Sequence, residues 1–593
     1  MLDRRDLLRR LPGAAAAGLV MSATGRVTSE NAAGVAGDPR TFRHGVASGD
    51  PDAERVVLWT RVSGADGPVP VRWLVASDPE LHDVVASGRT EALPERDWTV
   101  HVDAGGLRPA TTWWYAFEAE EVEGEAVGER SPTGRTRTAP GPDDRRQVRL
   151  GVVSCSSFRA GRFTVYRRLV ERDVDLVVHL GDYVYETDDK GAVRQHEPPA
   201  EPVSLADYRA RHAQYRTDPD LQALHQSFPV AAIWDDHDLD SDAWRGGAPS
   251  HDPDRHGPWE ERRAAALRAF LEWLPVRRPD PDVPDRIWRS LPLGSTAELL
   301  LLDTRHEGRD QQVDHHHPDP GAALADPRRR IMSEAQEAWL AERLRTSPAT
   351  WRLLANQVVL SPMQLELPDS LAALGRRLGL AVGNTVMNAD QWDGYPVARQ
   401  RLLDVMAEAG VGPVGVLTGD IHSSWAFDVP AGARPGDPPV AVELVVPSVT
   451  SPSFAEIVGI EPDLASAGVS TAVAAQLPHL RWSDLRHHGY LVVEVGPERL
   501  QGDWWHVDAI DGSADGERLG ASWMAEADDV RLQPAPAPLD ERPITTPPPP
   551  TTSPPGGNGR GTDGERPGGV LGVLGAVVAV VAGLLALRRR RRR

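Results

Sequence analysis

The chain has 593 residues, 40% of them hydrophobic, and a formal charge of −21. That length exceeds one ordinary domain and calls for two or more folded units, while the acidic balance excludes a general nucleic-acid binder, which shows a basic face. A single cysteine, Cys155, excludes any intrachain disulfide.

In chain order, residues 1–40 read as a targeting segment. Arg4-Arg5 with Leu7-Leu8 precedes an apolar stretch, Leu11 to Met21, too short to span a bilayer. This twin arginine predicts recognition by the twin-arginine export machinery. Residues 41–140 read as all-β: Arg55–Thr60, Val69–Val75, Thr99–Val102 and Thr112–Ala119 are short strands separated by Gly, Pro and Asp. Their spacing predicts a small sandwich of immunoglobulin or fibronectin type.

Residues 146–533 read as the catalytic unit. Six short apolar runs are predicted as strands buried on both faces: Val148–Val153, Val174–Leu180, Pro229–Trp234, Glu298–Leu302, Trp351–Ala355 and Val414–Thr418. Each ends in a reactive residue, and ligands sit beyond the carboxyl ends of strands in open α/β sheets. Thiol, carboxylate, phenol, amide and imidazole are therefore expected on one rim. Ser204 to Gln226 and Pro258 to Leu274 read as helices, and Ser333-Glu334-Ala335-Gln336 as a capping box opening a third through Leu344. Ala441–Val446 and Tyr490–Val495 add further strands.

Residues 534–569, rich in Pro, Thr and Gly, read as an extended linker. Val570 to Leu587 is uncharged and just long enough for a transmembrane helix, and Arg588 to Arg593 mark the cytoplasmic side. The expectation is a domain outside a bacterial cell membrane, C-terminally anchored after export.

The rim carries the chemistry. Cys155 lies among serines at a strand end, a setting that favours a ligand over an inert packing residue. Asp182 can bridge two cations, and a Tyr185 phenolate three residues later suits a hard trivalent ion such as Fe³⁺. Asp420 and His422, two apart, are expected to face the same side of an extended backbone. Asp235-Asp236-His237-Asp238 packs carboxylates at a density that calls for cations or protons. His237 is read as stabilising the transferred group or protonating the leaving oxygen. Asp240 and Asp242 add oxygen ligands suited to Ca²⁺ or Mg²⁺. Arg305 and Asn356 are candidate donors to a phosphate oxygen, Arg305 alternatively a partner for Asp303.

Several motifs, in order, resemble the PhoD-type alkaline phosphatases. These are Phe42 to Pro51 with Val57 to Arg61, Ser154-Cys155-Ser156, Gly181 to Glu186, Trp234 to Asp238, Asn356-Gln357-Val358, Trp392 to Tyr395 and Gly419 to Trp425. The resemblance implies an α/β fold of calcineurin-like metallophosphoesterase type, a β-sandwich core flanked by helices and preceded by the small all-β unit. It also implies hydrolysis of phosphate monoesters or diesters at a cluster of Fe³⁺ and Ca²⁺, with two Ca²⁺ expected. On that likeness Cys155, Asp182, Tyr185 and His422 hold Fe³⁺, and Asp182 and Asp420 serve the calcium side. Where the family places an Asn, this chain has Ser241-Asp242, so Asp242 is the expected replacement and Asp236 a second candidate. The implied reaction is in-line attack at phosphorus by a metal-activated hydroxide on a phosphate ester substrate. Two other readings stay open: a phosphodiesterase acting on lipid or wall polymers, and an inactive surface-binding module on a phosphatase fold.

Overall fold

The computed structural model describes residues 41–542 apart from 121–128, 188–192, 279–282, 284–285, 315–316, 367–380, 383–384, 387, 433–436 and 459–472. Two large sheets form the core. The first has ten strands in the spatial order Asp529–Pro534, Glu517–Glu526, Arg499–Val507, Gly489–Val495, Val148–Val153, Leu176–His179, Pro229–Ala232, Val46–Gly49, Arg55–Arg61 and Thr99–Gly105. The second has seven: Arg289–Leu293, Ala297–Leu301, Trp351–Asn356, Val414–Thr418, Pro439–Val445, Ser424–Pro430 and Leu480–Asp484.

The sheets pack face to face. A Cβ added to Gly415 would come within 2.9 Å of Leu500, and one added to Gly502 within 2.8 Å of Leu444. Leu299, Leu353 and Leu417 share one buried cluster with Leu150, Val178 and Val493 of the first sheet. Burying both inner faces in this way is the main term that holds a sandwich together. Helices Glu334–Thr346 and Pro396–Met406 cover the second sheet through Leu340, Leu344, Leu402 and Leu403 against Leu300, Leu354 and Val416.

All six predicted strands are present, but they do not share one sheet. Val148–Val153, Leu176–His179 and Pro229–Ala232 pair in parallel in the first sheet. Ala297–Leu301, Trp351–Asn356 and Val414–Thr418 pair in parallel in the second. The rim therefore spans both layers.

The all-β unit is likewise present, with a four-stranded sheet of Val84–Ala92, Val69–Ala76, Thr112–Ala119 and Gly134–Arg137. Its other sheet is not its own. Val46–Gly49 pairs in parallel with Pro229–Ala232, so the N-terminal strands extend the catalytic sheet directly.

Three local expectations need correction. The stretch from Ser204 is two helices, Leu205–Tyr215 and Pro219–Ser227, because Pro219 cannot continue the first and Asp218 caps the second. At Ser333 only half of the capping box forms: its hydroxyl accepts from Gln336 N, while the Gln336 side chain bonds Asp303 N and O at 2.8 Å each. Residues 535–542, placed in the linker by composition, dock on the first sheet. Leu539 N donates to Asp503 at 2.7 Å, and Arg542 pairs with Asp175 and Glu494.

Among the described residues no helix is long and apolar enough to cross a membrane. The expected targeting segment 1–40, the linker beyond 542, the run 570–587 and the arginine tail lie outside the described residues.

Candidate metal centre

The donors of the rim leave their strands on unusual backbone. Cys155, Asp182, Asp420 and His422 have φ of 59°, 54°, 64° and 53°, and Asp242 has 56°. Left-handed backbone at a non-glycine residue costs on the order of 1–3 kcal/mol and persists where the surroundings over-determine it. Here Cys155 N donates to Gly181 O and Ser156 N to Asp182 O, locking the first two strand ends together. Asp238 does the same for the third: its carboxylate accepts from Asp182 N, Val184 N and Asp235 N at 2.9–3.1 Å. Gly181 has no freedom to be anything else, with φ of 108° and a notional Cβ 2.4 Å from that of Asp235.

Three overlapping donor groups result, each with ligand atoms within 4.8 Å of one another: Cys155, Asp182 and His422; Asp182, Asp236 and His237; and Asp235, Asp236 and Asp420. Asp182 joins the first two and Asp236 the last two. Tyr185 completes the first, its hydroxyl donating to Asp182 at 2.8 Å and accepting from Ser451 at 2.6 Å. His422 Nδ1 faces Pro452 O at 2.9 Å, a hydrogen bond that leaves Nε2 as the ligand atom. The extended backbone expected for Asp420 and His422 is not found, and the two enter different donor groups of the one centre. Past Thr418 both residues have left-handed φ, His422 standing with Cys155 and Asp182 and Asp420 with Asp235 and Asp236.

The two ends differ electrostatically. Burial pushes the Cys155 thiol up, with the Asp182 charge adding to it. Burial also raises Asp182, helped by Asp236 and Asp238, and raises Tyr185, helped by Asp182 and Cys155. His237 opposes the rise at Asp182, but no arginine bonds the side chains of these three acids among the described residues, and a soft thiolate with phenolate, imidazole and carboxylate is a donor set that fits a transition-metal cation.

At the other end a cation is built in. Arg305 is 0% exposed and bonds Asp235 through Nε, both oxygens of Asp390 at 2.8 Å through one terminal nitrogen, and Asp420 at 2.8 Å through the other. Asp236 lies 3.5 Å away. Burial works against ionisation of Asp236, but Arg305 and His237 hold its carboxyl well below the usual range.

The Arg305 guanidinium is therefore taken by four carboxylates rather than aimed at a phosphate position, and the expected pairing with Asp303 is made by the backbone instead, Arg305 N donating to the Asp303 carboxylate at 3.0 Å. Asn356 is also internal. Its amide nitrogen bonds Val358 O and its oxygen accepts from Trp392 Nε1 at 3.3 Å. Asp242 donates its backbone N–H to Asp236 at 2.6 Å, and burial raises its carboxyl to about 7, with Asp390 and Asp236 adding to the rise.

His237 is partly open, its side chain 20% exposed. Its backbone N–H donates to Asp182 at 3.1 Å and its ring stacks on Tyr185 at 4.4 Å. Burial lowers its affinity for a proton, but Glu186, Asp236 and Asp182 outweigh that and raise it well above the ordinary value. Glu186, Asp390 and Gln391 were not among the sequence candidates. Glu186 pairs with His237, and Gln391 donates to Asp420 at 2.6 Å. Glu186 and Trp392 stand inside motifs noted above, the only signal that pointed toward them.

Residues 150–504 match the profile of the PhoD-like phosphatases, and residues 28–140 that of the PhoD-like phosphatase N-terminal domain. Alkaline phosphatase D of Bacillus subtilis (strain 168) is 31% identical over 513 residues, which span 83% of this chain and 82% of that relative. The solved structure of PhoD superposes with a TM-score of 0.72 at 29% identity, covering 85% of this chain and 93% of that one. With its strand-end donors in place and more than half its length matched, the chain belongs to the PhoD-like phosphatase family and is a phosphoesterase hydrolase.

Proposed function

We propose that the chain hydrolyses phosphate monoesters or diesters at a mixed centre in which Cys155, Asp182, Tyr185 and His422 hold Fe³⁺ and Asp182, Asp236, Asp242 and Asp420 serve Ca²⁺. The carrying observation is the Asp182 carboxylate, shared between a thiol–imidazole group with Cys155 and His422 and a group with Asp236 and His237, which Asp236 joins in turn to the all-carboxylate group of Asp235 and Asp420. Bound there, the cations supply Lewis-acid polarisation of the phosphoryl oxygens and activation of water. The protein's part is positional. His237, partly open to solvent, is oriented by Glu186 to give a proton to the leaving oxygen. Arg305 keeps Asp235, Asp236, Asp390 and Asp420 together without mutual repulsion.

Elemental analysis with a visible spectrum tests this. Folded wild type is expected to carry iron and a thiolate or phenolate charge-transfer colour, with Cys155→Ala and Tyr185→Phe each losing iron and most turnover. Colourless, iron-free wild type with full activity sinks the assignment.

The arginine pair at 4–5 and the apolar run 570–587 support export by the twin-arginine route and anchoring outside the cell. Chain ending at 569 should then leave the membrane fraction while the full chain stays in it.

A further inference from the structure

A second cluster of metal-type donors lies outside the catalytic centre. Asp484, His487 and His506 each offer one ligand atom within 4.8 Å of the others. Asp484 ends the strand Leu480–Asp484 and is pinned there, accepting from Arg486 N at 3.0 Å and His487 N at 2.9 Å. His506 comes from the strand Arg499–Val507, stacked between the rings of Trp482 and His487, with Ser424 Oγ 3.3 Å from Nε2. That hydroxyl leaves Nδ1 as the free nitrogen of His506. Asp484 and His487 side chains are each 24% exposed, so a cation can reach them.

We infer that Asp484, His487 and His506 form a second divalent-cation site of zinc type, which Arg518 holds closed. Two imidazoles and one carboxylate are the ligand set that borderline divalent metals take. His487 Nδ1 stands 2.8 Å and 3.0 Å from the two Asp484 oxygens, a gap that two bonds of about 2.0–2.2 Å bridge. In the present arrangement a proton occupies that gap. Arg518 lies 2.5 Å from His487 Nε2 and can only donate, so Nε2 accepts and the ring's proton sits on Nδ1, aimed at Asp484. If Arg518 turns away, the ring proton moves to Nε2 and the Nδ1 lone pair faces Asp484 and His506. Arg518 has somewhere to go: its side chain is half exposed and already 3.5 Å from Asp508.

Equilibrium dialysis of Zn²⁺ against the full chain tests this, comparing wild type with Asp484→Asn, His487→Ala and Arg518→Ala. Phosphatase turnover reports that each variant is folded, since none of these residues belongs to the catalytic centre. Zinc taken up by that centre is common to all four and cancels in the comparison. Wild type is expected to bind one equivalent more than Asp484→Asn and His487→Ala. Arg518→Ala should bind that equivalent roughly tenfold more tightly, the lower end of what outer partners contribute to metal affinity. Equal stoichiometry in all four proteins overturns the site. An unchanged affinity in Arg518→Ala, a change at an exposed position that the fold tolerates, overturns the closing role.

Discussion

Glu186 and His237 form a partly buried pair in which one carboxylate sets both a ring and a turn: Glu186 Oε2 meets His237 Nδ1 at 2.8 Å, and Oε1 accepts from Ser241 N at 3.0 Å. The pairing holds a proton on Nδ1 and leaves Nε2 as the ring nitrogen available to a substrate. Glu186→Gln keeps the shape and the Ser241 contact but removes the charge that favours imidazolium. If His237 protonates the leaving oxygen, kcat should fall roughly tenfold to a hundredfold, part of what a positioned acid contributes. The loss should be larger for an alkyl phosphate than for a nitrophenyl ester, whose leaving group needs little help. A loss equal for both substrates would make the pair purely structural.

Arg305 is a fixed internal counter-ion. Removing it leaves four buried carboxylates without their partner, a situation that costs about 3–5 kcal/mol when one member of a buried ion pair is deleted. Arg305→Met should therefore melt far below wild type in the presence of a chelator. Calcium should recover much of the loss, because the carboxylates then bind cation instead. Arg305→Lys keeps the charge without the planar fork and should fall between the two. Thermal melts with and without calcium read the result, and a variant as stable as wild type in chelator would remove the counter-ion role.

Much of this centre is legible in the sequence, and the reason is local. Val148–Val153 and Val414–Thr418 are buried throughout, and their continuous apolar runs end at turns whose next residues are Ser154-Cys155 and Gly419-Asp420. What escaped is long-range. Asp390 meets Arg305 across 85 residues and Glu186 meets His237 across 51, separations that no periodicity marks. The entry of Asp420 and His422 into different donor groups goes with left-handed backbone that neither residue type announces. The joining of Val46–Gly49 to the catalytic sheet is a pairing across about 180 residues, between strands that each read simply as apolar.

Asn356 separates a binding role from a structural one. Its amide ties the end of Trp351–Asn356 to Val358 and to the Trp392 indole. Asn356→Ala leaves those buried groups unsatisfied, at about 1–3 kcal/mol for the set. The melting temperature should drop while KM for a phosphate ester stays near that of wild type. A large rise in KM with unchanged stability would restore Asn356 as a phosphate donor.

Asp242 sets two effects against each other. Without cations burial raises its carboxyl from the usual carboxylate range to about 7, with the Asp390 and Asp236 charges adding to the rise. A raised carboxyl binds its proton more strongly folded than unfolded. Its contribution is therefore fully present below about pH 4 and is lost as pH rises toward 7. Asp242→Asn removes that loss, and Asn also tolerates the 56° φ better than Asp does. In chelator the variant should be more stable than wild type at pH 7, with the two converging near pH 4. With calcium the order should invert, since an anionic oxygen ligand is gone and calcium affinity follows ligand charge. A fall of roughly tenfold in that affinity is expected. Calorimetric calcium titration beside chelated melts at pH 4 and pH 7 reads both halves. Unchanged calcium affinity would remove Asp242 from the ligand set and leave Asp236 to hold that side of the centre.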